Sequence, residues 1–210
     1  EEELRDGVVQ RDRFLATLSH ELRNPLAAIG NAVLVLGRSA LTAEQQGWQQ
    51  MILEGTQHLT RLLDDLIDVA RLTQNKMTLE RSDFDLRCIV GLALQTVSAS
   101  LADKQIELVQ HLAAEPVLVS GDEVRLQQVL VNLLVNAVRY TGVGGRVTMT
   151  IDSEDSSAFI RVSDNGLGIE PEMLERVFEP FVQGHLPGAR GRDGGLGVGL
   201  SLVRHIVTLH

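Results

Sequence analysis

Cysteine is almost missing from this chain, with one residue, Cys88, in 210. A single thiol excludes an internal disulfide, and with it the stapled secreted scaffold, and fits a reducing compartment. Cys88 stands among apolar residues in LRCIVGLAL, so a small buried hydrophobe is expected there. Aromatic residues are nearly as scarce, at 3% with one Trp and one Tyr. The core therefore has to be built from Leu, Val, Ile and Ala. Positive charge is in deficit, giving a net charge of −9. That argues against nucleic acid as a main partner, because phosphate backbones require basic patches. No apolar run approaches the roughly 18–20 residues of a membrane span, and no signal peptide is recognised. No membrane contact is expected of this stretch. The remaining composition, 44% hydrophobic and 22% charged, is that of a soluble globular protein of one or two domains.

The hydrophobic period divides the chain in two. Leu4, Val8, Leu15, Leu18 and Leu22 repeat at coiled-coil spacing, with Arg11 in one apolar slot, and the stripe begins mid-pattern, as if continuing from an upstream helix. After Pro25 it resumes, shifted, at Leu26, Ile29, Val33 and Leu36. A polar break at Arg38-Ser39-Ala40-Leu41 leads to Thr42-Ala43-Glu44-Gln45, a capping box with Thr42 as N-cap. The second helix carries Trp48, Ile52, Gly55, Leu59, Leu62, Leu66 and Val69. Two such helices form an antiparallel hairpin. One hairpin cannot cover both stripes, so a dimeric four-helix bundle is expected.

From about Lys76 the pattern becomes mixed α and β. MTLERSDFDL reads as a strand and turn, and LRCIVGLALQTVSASLADK as a helix. IELVQHL and VLVS read as short strands on either side of Glu115-Pro116. Asp122 caps a long helix to Arg139. RVTMTID and AFIRVSD alternate as strands joined by a polar SEDSS turn, and Pro171 opens a short helix, PEMLERVF. A Gly-rich loop from Gly184 to Gly195 precedes a last helix beginning near Gly197.

Four groups of residues carry chemistry. His20 and Asn24 share one helix face, with Glu21 adjacent, and Pro25 removes the helical partner of the Glu21 carbonyl. A carboxylate that takes the proton from one ring nitrogen leaves the other as a nucleophile; taken alone, these residues also read as a solvated His–Glu pair on an outer helix face, since short motifs recur by chance. The helix DEVRLQQVLVNLLVNAVRYT is apolar on nearly every side and is expected to be buried. Yet it carries Asn132, Asn136 and Arg139 on one side. A buried amide without a partner costs about 1–3 kcal/mol. These amides either cap neighbouring loops or face a ligand, and an Asn carbonyl is a neutral, hard ligand for Mg²⁺. In DNGLGI, Gly166 and Gly168 permit close backbone approach, and the Asp164 carboxylate accepts from an exocyclic amine such as that of adenine. The alternative is an Asp-capped tight turn. In GGLGVGL, Gly195, Gly197 and Gly199 lead into a helix whose bare N–H groups suit phosphate. The same stretch also reads as a flexible hinge, and no GK[ST] follows to make it a P-loop.

In order, HELRNP, NLLVNAVRYT, DNGLGI, FEPF and GGLGVGLSLV resemble the sensor histidine kinases of two-component systems over nearly the whole chain. The resemblance implies an all-α helical hairpin for dimerisation and phosphotransfer (1–73). An α/β-sandwich ATP-binding domain of the histidine kinase, gyrase and chaperone type (77–210) follows, joined by a hinge near Thr73 to Lys76. It implies His20 as phosphoacceptor, Glu21 as the group taking its proton and Asn24 as the residue positioning water for dephosphorylation of the partner. Asn136 corresponds to the Mg²⁺ ligand with Asn132 beside it, Arg139 to the basic phosphate contact where the family commonly has Lys, and Tyr140 to a nucleotide contact. Asp164 corresponds to the adenine reader, with Gly166 and Gly168 shaping its pocket. Gly195, Gly197 and Gly199 line the phosphates. Phe178 and Phe181 flank a lid in which Arg190 or Arg192 assists. The implied activity is ATP-dependent autophosphorylation with Mg²⁺ in a homodimer, then transfer to an Asp of a response-regulator receiver domain, with phosphatase activity towards that regulator. The other readings are a nucleotide-binding dimeric scaffold and an ATP-driven conformational machine. A cytoplasmic location is implied, any membrane anchor lying N-terminal to this stretch. The family's further strands after the last helix are expected beyond His210.

Overall fold

The structure, a computed structural model, describes residues 22–72, 77–155, 157–183 and 196–210. Two compact units divide the chain, Glu1–Lys76 and Met77–His210.

In the first unit, Leu22–Leu36 (α1) and Ala43–Leu72 (α2) are helical. The turn between them forms where the sequence is polar, and α2 starts on the expected capping box. The Thr42 N–H donates to Gln45 Oε1 at 2.9 Å, and the Gln45 N–H donates to Thr42 Oγ1 at 3.3 Å. Two orphan N–H groups of the first turn are thereby satisfied. Gln49 Nε2 donates to the Val33 carbonyl, and a Cβ on Gly30 would lie 3.8 Å from the Thr56 methyl. The helices therefore run antiparallel. Val33, Thr56 and Leu63 are buried between them, and the Thr56 hydroxyl is satisfied by the Ile52 carbonyl. Leu22, Ile29, Leu36, Trp48, Ile52 and Leu59 are exposed within the single chain. Leu4, Val8, Leu15 and Leu18 lie outside the described residues.

The second unit is built on a mixed three-stranded sheet ordered β2-β4-β5. Glu107–Leu112 (β2) runs parallel to Arg146–Glu154 (β4), which pairs antiparallel with Ser157–Asp164 (β5). Ser82–Asp85 (β1) and Leu118–Gly121 (β3) form a separate antiparallel ribbon. Val147, Met149 and Ile151 alternate onto one face of β4 and are fully buried, each burial worth roughly 1.5–3 kcal/mol. Against them pack Val90–Asp103 (α3) and Glu123–Tyr140 (α4), through Val90, Ala93 and Val97 and through Leu130, Leu134, Ala137 and Val138. Helices thus cover one face of a sheet, the expected α/β sandwich. Gly199–Leu209 (α5) packs beside α4.

Several elements differ from expectation. Cys88 is exposed. It lies in a 3₁₀ turn, Leu86–Ile89, whose residues Leu86 and Ile89 face the core. At three residues per turn these two align and Cys88 is turned outward. The SEDSS turn is tighter than expected, because β4 continues through Glu154 and β5 begins at Ser157. PEMLERVF forms two 3₁₀ turns, Pro171–Met173 and Arg176–Phe178, rather than one helix. The last helix starts at Gly199 because Gly197 has φ +73°. Leu86–Asp103, at 18 residues and mean hydropathy 1.2, is long and apolar enough to pass for a membrane span, which no run was expected to be. Here it is a 3₁₀ turn plus a 14-residue helix with five residues in the core. That helix is about 21 Å long, short of the roughly 30 Å of a bilayer core.

Asp85 ties the ribbon to this core. Its carboxylate accepts from the Arg87 guanidinium, from the Arg87 N–H and from the Val117 N–H, while Arg87 Nη1 reaches the Ala113 and Ala114 carbonyls. The Arg87 side chain, with those N–H groups, holds the Asp85 pKa down at about 2. A depressed carboxylate contributes stability that is present above its unfolded pKa of about 4 and lost as pH falls through the folded value. Urea midpoints measured between pH 5 and pH 2 should therefore fall less steeply in Asp85→Asn than in the parent chain. A second prediction concerns Gln105, which ends α3 at φ +51°. Gln105→Gly should stabilise the unit by about 1 kcal/mol, read as a higher urea midpoint with unchanged slope.

Candidate functional site

Helix α4 positions most of the candidate residues. Val129, Leu130, Leu134, Ala137 and Val138 are buried, whereas Asn132, Asn136, Arg139 and Tyr140 are half-buried along another face. The expectation of a helix enclosed on all sides is corrected: Val124 is 73% exposed. Among the described residues one layer of helices covers this sheet, so one face of α4 stays open and the amides sit on its rim.

Both ends of α4 are closed by specific partners. At the start, Asp122 Oδ1 accepts from the Arg125 N–H and Oδ2 from the Glu80 N–H, both at 3.0 Å. The Asp122 N–H in turn donates to His210 Nε2 after α5. At the other end, a helix leaves its last four carbonyls without helical partners. The Ala137 carbonyl accepts from the Thr141 N–H and hydroxyl. The carbonyls of Val138 and Arg139, and that of Thr141 just beyond, accept from Lys104 Nζ at 2.8, 2.9 and 3.1 Å. The Tyr140 carbonyl accepts from the Leu167 N–H at 3.2 Å.

That last bond fastens the DNGLG loop to the helix. Asp164 is exposed, and its Oδ1 accepts from the Gly166 N–H at 2.9 Å. The Asp-capped turn is therefore present, and it holds the carboxylate in place. Asn165 Oδ1 accepts from the Arg146 N–H at 2.7 Å. A Cβ on Gly166 would collide with the Tyr140 carbonyl, whereas Gly168 has φ +71° and open space around it.

The start of α5 meets the other part of the same helix face. Asn132 Nδ2 lies 3.5 Å from the Gly199 carbonyl, and a Cβ on Gly199 would lie 3.7 Å from the Asn132 amide. Gly197 is pressed against the Val182 carbonyl, and its own carbonyl accepts from the Phe181 N–H. Phe178 and Phe181 are exposed, with the Arg204 guanidinium 5.9 Å from the Phe178 ring. From Asn132 to Tyr140 is eight residues, roughly 12 Å of helix. A half-buried face thus runs from the Gly199 backbone to the Asp164–Gly168 loop. Near its end the Arg139 guanidinium lies 5.6 Å from the Tyr140 ring. Arg139 Nε is buried with no hydrogen-bond partner among the described residues. An elongated ligand with a polar aromatic end and an anionic end matches these groups.

The structure brings Asn132 to Gly199, and the Tyr140 backbone, next to Arg139, to the loop carrying Asp164, Gly166 and Gly168. Asn24 is exposed on α1 in the first unit. His20, Glu21, Gly195, Arg190, Arg192 and the Thr73–Lys76 hinge lie outside the described residues. Sequence reasoning missed Lys104, Asn165 and Leu167. Asn165 and Leu167 lie inside DNGLGI, where attention to their backbone partners would have found them. Lys104 is 34 residues before Val138, and no local pattern marks it.

Residues 10–75 match the His Kinase A (phospho-acceptor) domain, and residues 121–210 match the histidine kinase-, DNA gyrase B- and HSP90-like ATPases. The chain is 36% identical over 203 residues to histidine protein kinase DivJ of Caulobacter vibrioides, covering 95% of this chain and 34% of that protein. It is 31% identical over 205 residues to the autoinducer 2 sensor kinase/phosphatase LuxQ of Vibrio harveyi, covering 95% and 24%. The chain thus spans about a third or less of these curated relatives. Among solved structures, full-length ShkA in complex with AMPPNP matches at 31% identity with a TM-score of 0.70, over 94% of this chain and 41% of that one. The Acinetobacter baumannii histidine kinase AdeS, at 23% identity and a TM-score of 0.58 over 90% of this chain and 86% of that one, shares the fold.

The two loop glycines should respond differently to substitution. At Gly166 the new methyl meets backbone, which cannot rotate away, so Gly166→Ala should cost about 1–3 kcal/mol. Gly168→Ala meets only the left-handed penalty of about 1–2 kcal/mol and should lie at its lower end. Urea unfolding of the two variants checks the order.

Proposed function

Because the chain belongs to the sensor histidine kinases of two-component systems, we propose that it transfers the γ-phosphoryl group of ATP to its own His20. The observation that carries this reading is the α4 face: Asn132 lies by the Gly199 backbone, the Tyr140 carbonyl is fastened to the Asp164 loop, and Arg139 Nε is buried with no hydrogen-bond partner among the described residues. In this reading Asp164 accepts from the adenine amine, and Gly166 lets the loop approach Tyr140 closely. Arg139 pairs with phosphate oxygens, and Gly195, Gly197 and Gly199 present N–H groups to them. Guanine carries an oxygen where adenine carries its amine, so the carboxylate favours ATP.

The residues fit a nucleotide-bound divalent cation. Asn136 offers a neutral oxygen, and among the described residues no group of three His, Cys, Asp or Glu is arranged to hold a metal. Mg²⁺ would be held by Asn136, with Asn132 beside it, together with phosphate oxygens, and would supply charge neutralisation at the triphosphate. His20 then forms a P–N bond as the bond to the ADP oxygen breaks, with Glu21 taking the imidazole proton.

The domain limits proposed for this chemistry are 1–73 and 77–210. The exposed apolar residues of α1 and α2 support a homodimer that covers them in a four-helix bundle. Transfer from His20 to an Asp of a response-regulator receiver domain follows from the same reading. So does dephosphorylation of that partner with Asn24 positioning water, a role supported by the exposure of Asn24 and by a relative named as a kinase/phosphatase. An ATP substrate and a single free thiol support a cytoplasmic setting for this activity.

The test is incubation of the chain with γ-labelled ATP and Mg²⁺. Acid-labile, base-stable label should appear on the protein, vanish in His20→Gln and vanish in Asn136→Ala. Label that persists in His20→Gln overturns the assignment. ATP hydrolysis with no protein label points instead to an ATP-driven conformational machine.

A further inference from the structure

The geometry points to Lys104 as a positioning residue of the nucleotide site, an inference that rests on the nucleotide reading of the α4 face. Its ammonium has three donors, and all three are used on carbonyls at one helix end, those of Val138, Arg139 and Thr141. The Arg139 carbonyl belongs to the residue whose side chain is assigned to phosphate. Tyr140 lies between the clamped carbonyls, and its own carbonyl holds the Leu167 N–H and abuts Gly166. One cation therefore fixes the last turn of α4, and that turn fixes the Asp164–Gly168 loop.

The clamp is itself held from both sides. The Lys104 N–H caps α3 through the Ser100 and Ala102 carbonyls, and the Lys104 carbonyl accepts from the Gly144 N–H at 2.9 Å. The Glu107 N–H donates to the Gly145 carbonyl, one residue before β4 begins to pair with β2 at Arg146. The turn after α3 and the turn after α4 are thus stitched together, with Lys104 Nζ directed into the helix end. A positive group at a helix C-terminus also opposes the negative pole of the dipole. That pole would otherwise face the anionic ligand beside Arg139. Without the ammonium, three carbonyls lose their partner, the last turn of α4 frays, and Arg139, Tyr140 and the loop lose their common reference.

The test compares the parent chain with Lys104→Met, Lys104→Arg and Asn136→Ala by calorimetric titration with a non-hydrolysable ATP analogue and Mg²⁺. It is done at a temperature where circular dichroism shows each variant folded. Methionine keeps the length and loses all donors. Lys104→Met should bind about tenfold more weakly, or 1.4 kcal/mol. In amide exchange, the peptide containing Leu167 should exchange faster while that containing Val147–Ile151 is unchanged. Arginine presents a planar fork that does not converge on three carbonyls, so Lys104→Arg should weaken binding severalfold with the same local exchange. It serves as the probe if Lys104→Met does not fold. Parent-like affinity in the folded Lys104 variants, or exchange accelerated equally across both peptides, overturns the positioning role. Failure of the nucleotide reading itself shows separately, as parent-like binding by Asn136→Ala.

Discussion

Helix α4 must satisfy two demands at once, and the rest of the second unit is arranged around that. Its Leu130, Leu134, Ala137 and Val138 close the core against β4, while its Asn132, Asn136 and Arg139 stay on the rim. Apolar burial fixes the rotation of the helix about its axis. That rotation decides which polar side chains face outward and which backbone they meet. The end bonds fix its position along the axis: Asp122 holds the first turn, and Lys104, Thr141 and Leu167 hold the last. A side chain on a rigid, twice-anchored element costs little entropy to order when a ligand arrives.

The loops on either side use backbone where a bulky residue would not fit. Gly166 is pressed on the Tyr140 carbonyl and Gly197 on the Val182 carbonyl. Each contact brings a mobile-looking sequence against a fixed element. Gly166 and Gly197 thus behave here as close-packed joints rather than as slack.

Much of this was legible in the chain itself. The capping box at Thr42, the Asp122 cap and the strand alternation at Val147, Met149 and Ile151 depend on neighbours within a few residues, and the sequence displays them directly. The order of the motifs identified the family. What escaped notice depended on longer range or on phase. Cys88 sits among apolar neighbours, but the 3₁₀ period turns it away from them. The apolar letters of α4 suggested enclosure, but the number of layers over a sheet is a property of the whole domain. The Lys104 clamp joins the turn after α3 to the end of α4, and a lysine in a polar turn carries no mark of its distant partners.

The outward-facing thiol of Cys88 has a practical consequence. It is the only sulfhydryl in the sequence and belongs to the α/β unit alone. A maleimide dye or spin label would attach there stoichiometrically without engineering, leaving the helical hairpin unmarked. In a pair of identical chains, the separation of two such labels would read the spacing of the nucleotide-binding units directly.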